Sequence, residues 1–336
     1  MVAAEVTMWG GLDLRRLKAG RAAALKLAKS GYVISPRGHS RMPSGPSRYP
    51  WGMAELLTWV APPPDLRRPV LIVAFDGFVD AGVVAATAGM FLRHRWRSEP
   101  VARFDRDALL DYRARRPTAV VDTGQVRRIE WPDLEVLAAS VDGPRDAALL
   151  LGPEPDMRWE AFCDSVTGLC RQLGVDTVVG LGAYPAAAPH TRPIRILKAG
   201  NALGGDLAFD ARDIVGYTGP VGAGTVLQDV LGRAGIPAVG LWAEVPHYIA
   251  GSPNPNGALA LVRTVAEAMR TPIDTTELEA AAAMHDEQVA EAVAEHEDAA
   301  EMVTALEELY DKGATDQSLP SGDQIADEIE RFLRQQ

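Results

Sequence analysis

Residues 69–82 read PVLIVAFDGFVDAG, and the fold turns on how this stretch is read. The run VLIVAF at 70–75 is apolar on both alternating faces, the mark of a strand buried on both sides of a parallel sheet. It is far shorter than the ~20 residues a membrane helix needs. The run stops at Asp76-Gly77, a turn pair, and Asp80 is placed to cap an apolar helix expected over 81–93.

Outward from that unit, strands are expected over 99–104, 118–122, 134–141 and 147–151. The four lie close together, so those from 118 to 151 suggest a mixed patch or a local hairpin. A helix over 157–173 places Trp159, Phe162, Cys163, Val166, Leu169, Cys170 and Leu173 on one stripe and ends at Gly174. Strand 177–182, helix 225–234 and strand 237–243 follow. Asn254-Pro255 then supplies an N-cap with proline at the first helical position, opening a helix that runs to 270. Strand–helix alternation with short links implies an α/β protein, a three-layer α/β/α arrangement around a mostly parallel or mixed sheet.

Three regions differ in charge. Residues 1–50 carry nine Lys+Arg against two Asp+Glu, residues 274–336 carry three against eighteen, and the whole chain of 336 residues is at −11. The expected division is therefore a basic arm over 1–50, a core domain over 51–273 and an acidic helical extension over 274–336. Within the arm, 12–29 has the pattern of a basic amphipathic helix. A disordered arm, or translation from an upstream start with Met42 or Met53 as the true beginning, fits the same residues. The extension reads as one long helix over 274–311 with a thin apolar seam. A break follows, then a capped helix from Ser321 with Ile325, Ile329, Phe332 and Leu333 on one face, a candidate interaction surface.

The acidic end repels phosphate backbones, so no nucleic-acid partner is expected. No apolar segment suggests a membrane partner or a secretory signal, and two cysteines in 336 residues fit the cytoplasm. Cys163 and Cys170, seven apart on one helix, lie ~10 Å apart and read as core thiols. The six histidines (39, 94, 190, 247, 285, 296) show no metal-ligand spacing, and His285 and His296 read as solvated. No metal or cofactor is expected, and no nucleophile elbow is present.

Ligands of open α/β sheets bind at the carboxyl ends of the strands. Those ends and their loops gather Asp76, Asp80, Gly182, Tyr184, His190, Gly219, Gly222, Gly224 and Glu244 as a candidate pocket. The turn GPVGAGT at 219–225 precedes a helix, so its amides could cradle an anion, but it lacks the lysine of a nucleotide phosphate loop. Asp76 bonding turn amides and Asp80 capping its helix are structural alternatives for those two carboxylates.

GFVDAG at 77–82, GLGAYPAAAPHTRP at 180–193 and the stretch from Gly219 to Pro255 together resemble the proteasome assembly chaperone 2 family, in its actinobacterial branch. The resemblance runs from about 59 to 270. It implies a core similar to purine nucleoside phosphorylases and a homo-oligomer, trimers among the sizes allowed. It also implies proteasome subunits as partners. The chain departs from relatives that dock through a hydrophobic–tyrosine–any tail, since it ends Leu333-Arg334-Gln335-Gln336. Two functions stay open at this point. One is a chaperone-like protein acting by protein–protein contact; the other is an enzyme or binder of a phosphate- or nucleoside-type ligand.

Overall fold

The computed structural model describes residues 56–201 and 206–312. The basic arm and the face of Ile325, Ile329, Phe332 and Leu333 lie outside the described residues.

Strand β2 (Val70–Asp76) stands in the middle of a nine-stranded sheet. The other strands of that sheet are β1 (Leu57–Trp59), β3 (Glu99–Phe104), β6 (Glu135–Ala139), β7 (Ala147–Pro153), β8 (Thr177–Ala186), β9 (Ile196–Gly200), β10 (Arg212–Asp213) and β11 (Ala238–Pro246). Their order is β1-β3-β6-β7-β2-β8-β11-β9-β10. Strands β7, β2, β8 and β11 are parallel, while β1, β3 and β6 on one side and β9 on the other pair antiparallel. The sheet is thus mixed, with a parallel centre. Alternation along β2 sends Val70, Ile72 and Ala74 to one core and Leu71, Val73 and Phe75 to the other, as an apolar run buried on both faces requires.

Helices α1 (Val84–Arg95), α4 (Pro255–Met269) and α5 (Thr276–Ala294) cover the first face. Helices α2 (Trp159–Leu173) and α3 (Ala223–Arg233) cover the second. Phe162, fully buried on α2, packs against Phe75 and Phe104 with ring centroids 6.0 and 5.0 Å away. Cys163 and Cys170 are buried free thiols whose pKa values burial pushes up to about 12.

Several expectations are corrected. Helix α1 starts at Val84 rather than 81, because Gly82 and Val83 are both left-handed (φ 65° and 54°) and form a tight turn first. Strand β4 (Thr118–Asp122) is where it was expected and forms a local hairpin, one of the two arrangements anticipated, but its partner is a strand the sequence did not reveal, β5 (Gln125–Glu130), and the pair stands outside the main sheet. The long acidic helix is two helices, α5 and α6 (Glu297–Asp311), because His296 is extended at φ −134° and turns the chain back. That return buries Val303 and Leu306 and brings the acidic end of α6 onto the arginines of the loop before β9.

Candidate functional site

The carboxyl ends of the parallel strands carry most of the side chains picked out above, and the structure gives nearly all of them protein partners. Asp76, at the end of β2, is exposed and paired with Arg115 at 3.1 Å, so it does not bond the turn amides. Asp80 accepts from the amides of Ala85 (2.6 Å) and Ala86 (3.3 Å), capping the first turn of α1. Burial nonetheless outweighs those amides and pushes its pKa up to about 7.

The glycine-rich turn is already filled by a side chain absent from the sequence reading. Glu154 follows β7 directly, where the backbone turns at Pro153. Its Oε1 accepts from the amide of Ala223 at 2.6 Å, the first residue of α3, and its Oε2 accepts from Phe78 at 2.8 Å. One carboxylate therefore ties the ends of β2 and β7 to the start of α3, where a negative charge meets the positive end of the helix dipole. The glycines make room for it. A Cβ at Gly77 would stand 2.3 Å from Oε2, and one at Gly222 2.6 Å from Oε1. The anion cradle anticipated over 219–225 thus holds the protein's own anion. Applying the strand-end reading to GPEP at 152–155 would have found it.

Beneath that carboxylate is a void of about 40 Å³ lined by Gly222, Gly224, Gly180 and Trp242. It is room for about one water. Gly182 abuts the same tryptophan, with a Cβ there 2.6 Å from the indole ring. Gly219 packs on the Tyr217 ring instead, in an exposed loop where Tyr217 donates to the Pro220 carbonyl at 2.6 Å.

Tyr184 and Glu244 face each other in the register of β8 and β11, and the phenol donates to Glu244 Oε1 at 2.8 Å. Burial, and then the adjacent carboxylate, drive the tyrosine pKa far up. Glu244 is buried, and its Oε2 has no hydrogen-bond partner among the described residues. His190 lies further along, its amide accepted by the Tyr248 hydroxyl at 2.7 Å and its Nδ1 2.8 Å from the same oxygen. Burial lowers its pKa, which favours the neutral ring.

His190 lines a second cavity of about 780 Å³ between the 190–196 loop, β10, α4 and α5. His285 lines it too and is buried rather than solvated; burial lowers its pKa, and Asp286 Oδ1 stands 3.8 Å from its Nδ1. The candidate residues therefore fall in separate places. Gly222 and Gly224 belong to the void under α3, and His190 belongs to the cleft beside α4. Among the described residues, no group of three His, Cys, Asp or Glu could hold a metal, and no helix is long and apolar enough to cross a membrane.

Comparison with known proteins fits this architecture. Residues 74–293 match the model of the PAC2 family. A Mycobacterium tuberculosis protein of unknown function is 33% identical over 80% of this chain and 96% of its own, with a TM-score of 0.71. The M. tuberculosis proteasome-assembly chaperone homologue is 36% identical over 70% and 99%, with a TM-score of 0.64. A PAC2 family protein from Streptomyces avermitilis is 34% identical over 70% and 99%, with a TM-score of 0.61. No match was found among curated proteins.

Proposed function

Because the chain belongs to the PAC2 family, we propose that it works by protein–protein contact, as a cytoplasmic chaperone-like protein that engages proteasome subunits. The observation that carries this reading is the fate of Asp76, Asp80 and Glu154. Asp80 and Glu154 are bound to backbone amides and Asp76 to Arg115. A phosphate at the 219–225 turn would have to expel Glu154 from two amides, which argues against the phosphate-binding alternative there. The identity with the M. tuberculosis proteasome-assembly chaperone homologue supports the choice of partner.

The contact surface we assign is the β4–β5 hairpin with the apolar groups at its base. All six residues of β5 are exposed, and Val121, Val126 and Ile129 show 58%, 62% and 44% of their surface. An isolated two-stranded hairpin is at best marginally stable in water. Here Trp131 anchors its base, packed edge-to-face against Tyr112 with ring centroids 5.0 Å apart and covered by Arg106. Such a surface suits a homo-oligomer or a partner subunit. The test is size-exclusion chromatography with light scattering, and affinity capture from native cells, for the wild type and a Val121→Ser/Val126→Ser/Ile129→Ser variant. The variant is expected to lose oligomer size or subunit capture, and unchanged behaviour in both would overturn the assignment.

A further inference from the structure

We propose that the cleft beside α4 binds a neutral, polyhydroxylated small molecule of sugar or nucleoside size, held by His190, Asn256, His285 and Asp286. The cleft encloses about 780 Å³ between the 190–196 loop, β10, α4 and α5, within the roughly 300–1,000 Å³ typical of small-molecule sites. It goes beyond the protein contact proposed above. It also lies at the β9–β10 edge of the sheet, whereas the β4–β5 hairpin follows β3 towards the other edge.

His285 is the residue that points to a ligand. It is 8% exposed and lines the cleft, yet neither ring nitrogen has a hydrogen-bond partner among the described residues. Asp286 Oδ1 is 3.8 Å from its Nδ1, beyond hydrogen-bond reach. Burial lowers its pKa, so the ring is neutral, with one N–H to give and one lone pair to fill. Leaving such a group unpaired is costly, and a hydroxyl, which both donates and accepts, answers either nitrogen.

The neighbouring side chains ask for the same groups. Asn256 donates from Nδ2 to Asp286 Oδ1 at 2.6 Å, which leaves the amide oxygen and the second carboxylate oxygen as acceptors. The Tyr248 hydroxyl accepts the His190 amide at 2.7 Å and turns its own hydrogen to Nδ1 at 2.8 Å, so the ring proton sits on Nε2 as a donor. Ile194, Ile249 and Leu259 add an apolar wall for the C–H face of a sugar ring. The charges of the cleft favour no ion. Arg192 is held by Glu307 and Asp311 at 3.1 and 2.7 Å, and Arg263 by Glu279 at 2.6 Å. Arg195 is engaged by the Tyr310 ring and carbonyl. Asp210 and Arg212, opposite in sign and two apart, are exposed, as is Glu267. An anion would meet the carboxylates and a cation the arginines, which leaves a neutral ligand as the best match.

Isothermal titration of the full chain with D-ribose, D-glucose, sucrose and adenosine tests the site. At least one is expected to bind with a Kd of about 1 mM or tighter. Preference for a free sugar assigns the hydroxylated ring alone as the ligand, and preference for adenosine assigns a nucleoside. His285→Phe keeps the bulk of a ring and removes both nitrogens, so it should weaken that binding at least about tenfold without lowering the melting transition. Asp286→Ala, at a half-exposed position, should weaken it by a similar factor. No binding of any of the four, or binding that survives both substitutions, would overturn the proposal. So would a phosphate ester of glucose binding at least about tenfold more tightly than glucose, because the site would then select an anion.

Discussion

Removing the Glu154 carboxylate is the most informative single change. Glu154→Ala leaves the amides of Phe78 and Ala223 without the acceptor they have at 2.8 and 2.6 Å. Hydrogen bonds to a charged group are worth roughly 1.5–3 kcal/mol each, less whatever water restores once the side chain is gone. Loss of the favourable charge at the start of α3 adds roughly 0.3–1 kcal/mol. The expected cost is therefore about 2–4 kcal/mol, read as a shift in the urea midpoint at unchanged slope. The change should also create an anion seat: inorganic phosphate at ~100 times its Kd would restore ~2.7 kcal/mol to the variant and leave the wild type unmoved. A cost below about 0.5 kcal/mol, or equal phosphate stabilisation of both proteins, would refute the view that Glu154 is the resident anion of this turn.

Other consequences are simpler to check. The folded-state pKa of Asp80, about 7, lies above its ordinary value of 3.8, so the stability it contributes is full below about 4 and is lost as pH rises through 7; Asp80→Asn should flatten the stability profile between those limits, and an unchanged profile would contradict the assignment. Phe162→Ala, at a fully buried site with two aromatic neighbours, should cost roughly 3–5 kcal/mol by chemical denaturation. Arg192→Ala removes the ion pairs to Glu307 and Asp311; limited proteolysis between α5 and α6 should become faster, and added salt should speed wild-type cleavage towards the same rate.

The β2 run revealed its role because burial on both faces leaves an unbroken apolar pattern, and the α2 stripe did so because one buried face leaves a 3.6-residue period. Local caps were equally legible: Asn254 accepts from Gly257 at 2.8 Å, and Gly174 closes α2 at φ 67°. Pairings across long separations were not. Glu154 meets its partners 69 and 76 residues away, and a glutamate between two prolines carries no periodic sign of that. The turn at His296 was hidden because helix-favouring Ala and Glu continue through it, while the contacts α6 makes after turning back, burial of Val303 and Leu306 and pairing with Arg192 and Arg195, include partners about a hundred residues earlier. His285 was misread for a related reason. Its neighbours on α5 are acidic, but tertiary packing against α4 decides its burial.

The central claim is action through protein contact with proteasome subunits, and affinity capture of the tagged full-length protein from its native cells tests it most directly, with quantitative mass spectrometry of what is retained. The account predicts enrichment of proteasome α or β subunits, unassembled ones above all, and loss of that enrichment in the Val121/Val126/Ile129 serine variant. Recovery of the protein with neither α nor β subunits above background would contradict it.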